Sequence, residues 1–388
     1  MTSFSLPSVP RTLRGLSLIE LMISLLLALL VTGGAIAVFY SNSQTFRATE
    51  NLSRVQENAR AAFEIMSRDI REAGGNPCER DLPSESILNA GGAWWGDFDE
   101  PVRGFGGSEA MPGAADLGDG TGGGNIGTGV GQRVTGTEAM QLQAATSNNL
   151  TVADHQPGTT SITLNTASHN LRVGDIAMVC DFRQAGIFQI SAVTTDTIGH
   201  GSGGASPGNT GTVTNLGAGT DSTPVTYSFG CASGSRTGTD CPGADDKRLC
   251  RGSEPSDTEA TNAVSGSCRA WSANVARITS SRWYIGNSTA RRGDGPRGRS
   301  LYRVGPVNNG GTIEQQRQEV AADVETMTLA YLPRGGTDYL ASGAVTDWDE
   351  IVAIRVTLGL VSPDVVGTDG ARLQRTMEHV VTLRNRAL

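Results

Sequence analysis

From Leu16 to Tyr40 the chain carries a single charge, Glu20. At about 1.5 Å per helical residue this stretch is long enough to cross roughly 30 Å of hydrocarbon. Beyond Tyr40 the apolar positions become periodic. Leu52, Val55, Ala59, Ala62 with Phe63, Met66 and Ile70 recur every three or four residues, with Arg54, Glu57, Arg60, Glu64, Arg68 and Asp69 largely on other faces. The spacing predicts one helix from about Leu16 to Ala73, about 87 Å long. Gly74-Gly75 and Pro77 end it, Gly by allowing a left-handed cap and Pro by breaking the hydrogen-bond ladder.

After the helix the texture changes twice. Residues 76–137 show little periodicity, contain the Gly-rich run from Gly118 to Gly131 and read as a surface loop or insertion, with Trp94-Trp95 anchored on the body of the domain. From 138 to 388 the alternation is that of strands. These fall at Ser161 to Leu164, Asp175 to Asp181, Gly186 to Val193, Val225 to Phe229, Val275 to Ile285, Ser300 to Val304, Val324 to Leu332, Ile351 to Leu360 and Thr376 to Leu383. Ile354, Val356, Leu358 and Leu360 share one face, as do Met327, Leu329 and Tyr331. The fold class is α+β: a long N-terminal helix packed on a mainly antiparallel sheet domain with long Gly-rich loops.

Composition narrows the function classes. The 388 residues are 38% hydrophobic and 18% charged with 51 glycines, which is a modest core in much loop. A formal net charge of −8, with Lys247 the only lysine, argues against a protein that coats nucleic acid. Arg11 and Arg14 precede the apolar stretch without an acidic residue, so the leader stays cytoplasmic and everything after Tyr40 faces outward. Ala35-Ile36-Ala37 also fits a signal-peptidase site that would release a soluble protein beginning at Val38. Against it stand Glu20, a carboxylate that costs a few kcal/mol inside an apolar segment and marks a working site with a partner, and the helical spacing that continues past the triplet.

Arg14-Gly15-Leu16-Ser17-Leu18-Ile19-Glu20-Leu21-Met22-Ile23 resembles the type IV prepilin signature. The resemblance implies a cut between Gly15 and Leu16 by a prepilin peptidase, N-methylation of Leu16, and Glu20 as the fifth mature residue. The family's usual first residue is Phe, so Leu16 departs from it, and its helix-bending Pro is missing, with Gly33-Gly34 as the weak point in its place. A new positive amino terminus and a carboxylate four residues on are complementary between staggered neighbouring helices, each neutralising a charge the other could not bury alone.

Five further segments are similar to the PilW group of minor pilins: residues 174–181, 185–190, 283–285, 300–303 and 381–386, from Gly174-Asp175-Ile176 to the closing Leu383-Arg384-Asn385-Arg386. That resemblance implies a pilin-like fold and a place in the inner membrane with the globular part in the periplasm, then in the pilus. It implies no chemistry of the chain's own, no catalytic residue, metal or cofactor. The partners it implies are inner-membrane lipid before assembly, other minor pilins, the major pilin and a tip adhesin. By it the chain divides into a leader at 1–15, a transmembrane half-helix at 16–40, an amphipathic half at 41–75, the Gly-rich insertion at 76–137 and a β-rich pilin domain at 138–388. A type II secretion pseudopilin would share the same amino terminus.

Cys78, Cys180, Cys231, Cys241, Cys250 and Cys268 all fall in the outward part, where disulfides form, and the absence of Cys-x-x-Cys argues against zinc. Six cysteines allow fifteen pairings, and sequence does not choose among them. Gly122 to Gly127 matches a dinucleotide pattern and Gly204-Ala205-Ser206-Pro207-Gly208 a nucleophile elbow, but neither has the flanking strand and helix, so both read as loop. Asp116, Asp119 and Asn125 offer hard oxygen donors without EF-hand spacing. Arg291, Arg292, Arg297 and Arg299 form a basic turn whose contact with nucleic acid stays open.

Overall fold

A computed structural model describes residues 17–78, 82, 84–89, 93–112, 125–147, 149–155, 159–181, 185–211, 229, 273–291, 297–365 and 371–386. The chain opens with α1 (Leu18–Glu72), which passes through Gly33-Gly34 without a break. At its far end Gly74 takes φ +70°, a conformation only glycine adopts without cost, and a Cβ there would meet the Arg386 guanidinium. The last carbonyls, which have no partner within the helix, are satisfied from elsewhere: Arg71 O accepts from Arg384 N and Glu72 O from Gly75 N.

Fifteen strands follow among the described residues. The early ones are short: β1 (Ser84–Ser86), β2 (Val102–Phe105), β3 (Ala139–Thr146), β4 (Val152–Asp154), β5 (Ser161–Leu164), β6 (Ile176–Cys180), β7 (Ala185–Gln189), β8 (Ala192–Val193) and β9 (Thr197–Gly199). The late ones are long: β10 (Asn274–Arg291), β11 (Arg297–Asn309), β12 (Thr312–Ala322), β13 (Val324–Pro333), β14 (Ile351–Val365) and β15 (Arg372–Thr382). They form an eight-stranded sheet ordered β1-β7-β6-β10-β11-β12 with β3 and β2 attached to it, a three-stranded sheet β13-β14-β15, and a four-stranded sheet β4-β5-β9-β8. Every pairing is antiparallel except β1 with β7. Strand β10 is the spine: one edge pairs with β6 at Asn274–Arg277 and, further along, with β11 from Arg282, while the other edge pairs with β3 at Arg277–Tyr284. Between β12 and β13 Asp323 sits at φ 61°, where the chain leaves one sheet for the next.

The largest core lies between α1 and the two big sheets. Val55, Ala59, Ala62, Phe63, Met66 and Ile70 pack against inward residues of β13 and β14, among them Met327, Leu329, Tyr331, Ile354, Val356 and Leu358. The alternation read from the sequence places these residues correctly.

Trp94 and Trp95 are buried on the body as expected, but the other described residues of 76–137 depart from expectation. They are part of the body and not an excursion: β2 pairs with β3, and Phe98, Val102, Phe105 and Val134 are buried. The indole N–H of Trp94 donates to Gln315 Oε1 at 3.1 Å, and its ring lies 4.2 Å from the Arg282 guanidinium. The glycine-rich turn at Gly127–Gly131 is pinned by Asn287, whose amide donates to the carbonyls of Gly127, Gly129 and Gln132. The strand expected at Val225 to Phe229 lies outside the described residues except for Phe229, which is buried.

Candidate functional site: an exposed apolar rod and its seat

The two halves of α1 meet opposite surroundings. From Leu18 to Tyr40 every residue is exposed, including Leu18, Leu29, Val31 and Phe39 at more than 70%. Burial begins only at Asn51. The helix is long and apolar enough to cross a membrane, and its apolar half lies outside the body of the protein. Its Ser and Thr hydroxyls at positions 24 and 32 are satisfied internally. Ser24 donates to Glu20 O at 2.6 Å and Thr32 to Ala28 O at 2.7 Å, so these two hydroxyls in the apolar half are met by the helix's own backbone. Glu20 lies in the first helical turn, where a carboxylate is favoured by the helix dipole.

Asp69 fixes the seated half. Its Oδ2 accepts from Arg303 Nε at 2.7 Å, Ser281 Oγ at 2.9 Å and Trp283 Nε1 at 3.0 Å, tying the last turns of α1 to β10 and β11. The sequence pattern put Asp69 among residues on the other faces. It belongs to the seam, and the signal was its spacing of seven, two turns, from buried Ala62. Phe63 meets His379 of β15 in a tilted ring contact with centroids 4.3 Å apart.

Beyond the helix the chain is fastened twice more. Gly74 N donates to Gln143 O and Ala145 N to Gly75 O, which lays the exit against β3. Cys78 then forms a disulfide with Cys180 at the end of β6, their Cα atoms 6.0 Å apart. Helix, β3 and β6 thereby converge on the β10 spine.

Other predicted positions fall apart or outside. Gly15, Leu16, Cys231, Cys241, Cys250, Cys268, Asp116, Asp119 and Arg292 lie outside the described residues. Asn125 uses its carbonyl to accept from Arg133 N at 2.8 Å. Arg299 pairs with Glu325 at 3.4 Å, and Arg297 donates to Thr289 O, so these members of the basic turn bind protein. Asp175 caps its own turn, accepting from Arg172 N at 3.0 Å and from Asn308 Nδ2 at 2.8 Å. Among the described residues no three His, Cys, Asp or Glu side chains gather to hold a metal ion.

The buried ionisable groups lie away from the rod. Arg133, fully buried, donates to the carbonyls of Phe105, Gly106, Glu109 and Thr137, and desolvation lowers its pKa. Burial takes Arg282 down to about 9, with neighbouring Arg103 adding to the shift, while Gln141 and Pro112 O accept its protons. His155 and His200, with ring centroids 5.3 Å apart, are pushed down by burial to about 4 and about 3. Single polar residues scattered through the sequence give no sign of such clusters.

No family model matches the chain, and no curated protein matches it.

Proposed function

We propose that this chain is a minor pilin of the PilW group, incorporated into a type IV pilus where it primes assembly at the tip and supports twitching motility, adhesion or DNA uptake. The observation that supports it most is the division of α1: an apolar half free of the head on every side, continuous with a half seated in the core. A free rod of this kind has no stable resting place in water. It is suited to a bilayer before assembly and to a bundle of like helices afterwards.

In this reading a prepilin peptidase cuts after Gly15 and Leu16 is methylated. The new amino terminus then pairs with Glu20 of a neighbouring subunit, major or minor. The head, held in the periplasm and then on the fibre, performs no chemistry and takes no cofactor. Its bulk, more than 300 residues, suits a rare or terminal position better than repeated stacking, and in this reading its neighbours there include a tip adhesin. The unbroken helix through Ala35-Ile36-Ala37 into the seated half weighs against release at Val38.

Mass spectrometry of the amino-terminal peptide from membrane and sheared-surface fractions tests the proposal. The expected peptide begins with N-methylated Leu16. A terminus at Val38 would mean a secreted soluble protein, and an intact Met1 in a functional strain a plain anchor; either result overturns it. A deletion strain that keeps its pili but fails to export enzymes would reassign the chain to a type II secretion pseudopilus.

A further inference from the structure

At the end of the head opposite the apolar rod, two cavities adjoin, the larger of them opening beside Gly74 and Asn76, where α1 finishes. They measure about 280 and about 420 Å³ and share Ser84, Phe98 and Asp99. The smaller one runs along β1. Ser84, Ser86 and Leu88, alternate residues of one extended segment, form one wall, and the turn bearing Asp97 and Asp99 forms the other. Leu88, Phe98 and Ile187 supply an apolar floor.

Two properties define what this groove accepts. Strand β1 ends the eight-stranded sheet: it pairs only with β7, and its other edge carries no strand among the described residues. An extended segment can lie along such an edge and set alternate side chains into the groove. The charge is one-sided. Asp97 and Asp99 are exposed and have no basic partner among the described residues; Asp99 N donates to Asp97 Oδ1 and Ser84 Oγ to Asp99 Oδ1. The cation of the adjoining cavity, Arg386, is already engaged with Asp349 at 2.9 Å.

We propose that this groove is a docking site for an extended segment of another protein that alternates apolar and basic side chains, running beside β1 with a basic side chain between Asp97 and Asp99. Burial and the nearby Asp97 charge already push the Asp99 carboxyl upward, so an incoming cation relieves repulsion as well as adding attraction. The proposal does not depend on the pilin reading; it requires only that the head be folded.

Fluorescence polarisation on the full chain in detergent tests it, with a labelled nonapeptide of alternating valine and arginine as probe and the valine–glutamate peptide as control. The arginine peptide is expected to bind saturably and to protect residues 84–88 and 93–99 from hydrogen exchange. The double variant Asp97→Asn/Asp99→Asn should bind it at least tenfold more weakly, and the glutamate peptide should not bind. Asn keeps the size and turn geometry at both exposed positions, and an unchanged unfolding curve confirms the folded head. Should that variant unfold, the wild-type exchange footprint decides. Absence of saturable binding, equal binding of the two peptides, an unaffected double variant or a footprint elsewhere would each overturn the assignment. So would calorimetric binding of calcium chloride by wild type alone without peptide binding, which would make the pair a cation site.

Discussion

Asp69 on α1 and Arg303 on β11 meet through a single 2.7 Å contact between Oδ2 and Nε. The contact is shielded, the two side chains being 17% and 32% exposed, and the same oxygen also takes protons from Ser281 and Trp283. Removing the carboxylate therefore strands an indole N–H, a hydroxyl and a guanidinium at a packed seam. Asp69→Ala is expected to destabilise the head by about 2–4 kcal/mol, and Asp69→Asn by less because it keeps an acceptor. Urea unfolding followed by tryptophan fluorescence measures both; equal stability of Asp69→Ala and wild type would show that apolar packing alone seats the helix.

Tyr331 gives the opposite sign. It is fully buried in the core below α1, 4.8 Å from Trp348, and its hydroxyl has no partner among the described residues. Burial, with Glu138 and Glu109 nearby, holds that hydroxyl protonated well above its ordinary pKa. A hydroxyl desolvated without a hydrogen bond costs stability, so Tyr331→Phe should stabilise the protein by about 1 kcal/mol. Gly104 faces the same ring so closely that any Cβ would overlap it. Gly104→Ala is therefore expected to destabilise. A lowered urea midpoint for Tyr331→Phe would reveal a hydrogen bond, direct or through water, to that hydroxyl.

The buried histidines make stability depend on pH. In the folded state His155 and His200 are held at about 4 and about 3 by burial, with His155 further depressing His200. Unfolded, each titrates near 6.5. Below that value the unfolded chain takes up protons the folded chain refuses, so the stability they contribute is complete above about pH 7 and lost as pH falls toward 4. The slope approaches about 1.4 kcal/mol per pH unit for each histidine. Asp99 and Glu138, whose pKa values burial raises, act in the opposite sense, so comparison with His155→Gln isolates the histidine part. The free energy of unfolding should fall more steeply from pH 7.5 to 5.5 in wild type than in the variant; equal pH slopes would place a proton-accepting partner beside the ring.

What the sequence disclosed follows from which physical signals are periodic. The helix, expected from about Leu16 to Ala73 and found from Leu18 to Glu72, is legible because its apolar positions repeat through both halves and glycines end it. Strands β13 and β14 are legible because one face is greasy and the other polar. Strand β3 was missed because it is buried on both faces: Met140 and Leu142 alternate with Gln141 and Gln143 for only four residues, the glutamines are buried as well, and Ala flanks the run. Strand β12 was missed for the converse reason: it is an edge strand, polar on both faces. The pairing of Cys78 with Cys180 needs the spatial meeting of the helix exit and β6, which no local pattern encodes. The Asp97–Asp99 groove is likewise assembled from two segments brought together by the fold.

Glu20 tests the assembly reading most directly. It stands in the first turn of an otherwise uncharged apolar half-helix, away from the head and with no basic residue within four positions among the described residues. A carboxylate there is costly in hydrocarbon unless a cation from outside the chain meets it. If that cation is the methylated amino terminus of a neighbour, Glu20→Ala should leave cleavage after Gly15 intact, since the peptidase reads the junction, while lowering surface incorporation at least tenfold. The processed amino-terminal peptide, quantified in membrane and sheared fractions, measures the two steps separately. Normal incorporation of Glu20→Ala would remove the charge pairing and leave helix packing as the sole source of cohesion, and loss of processing would instead place Glu20 in the peptidase's recognition.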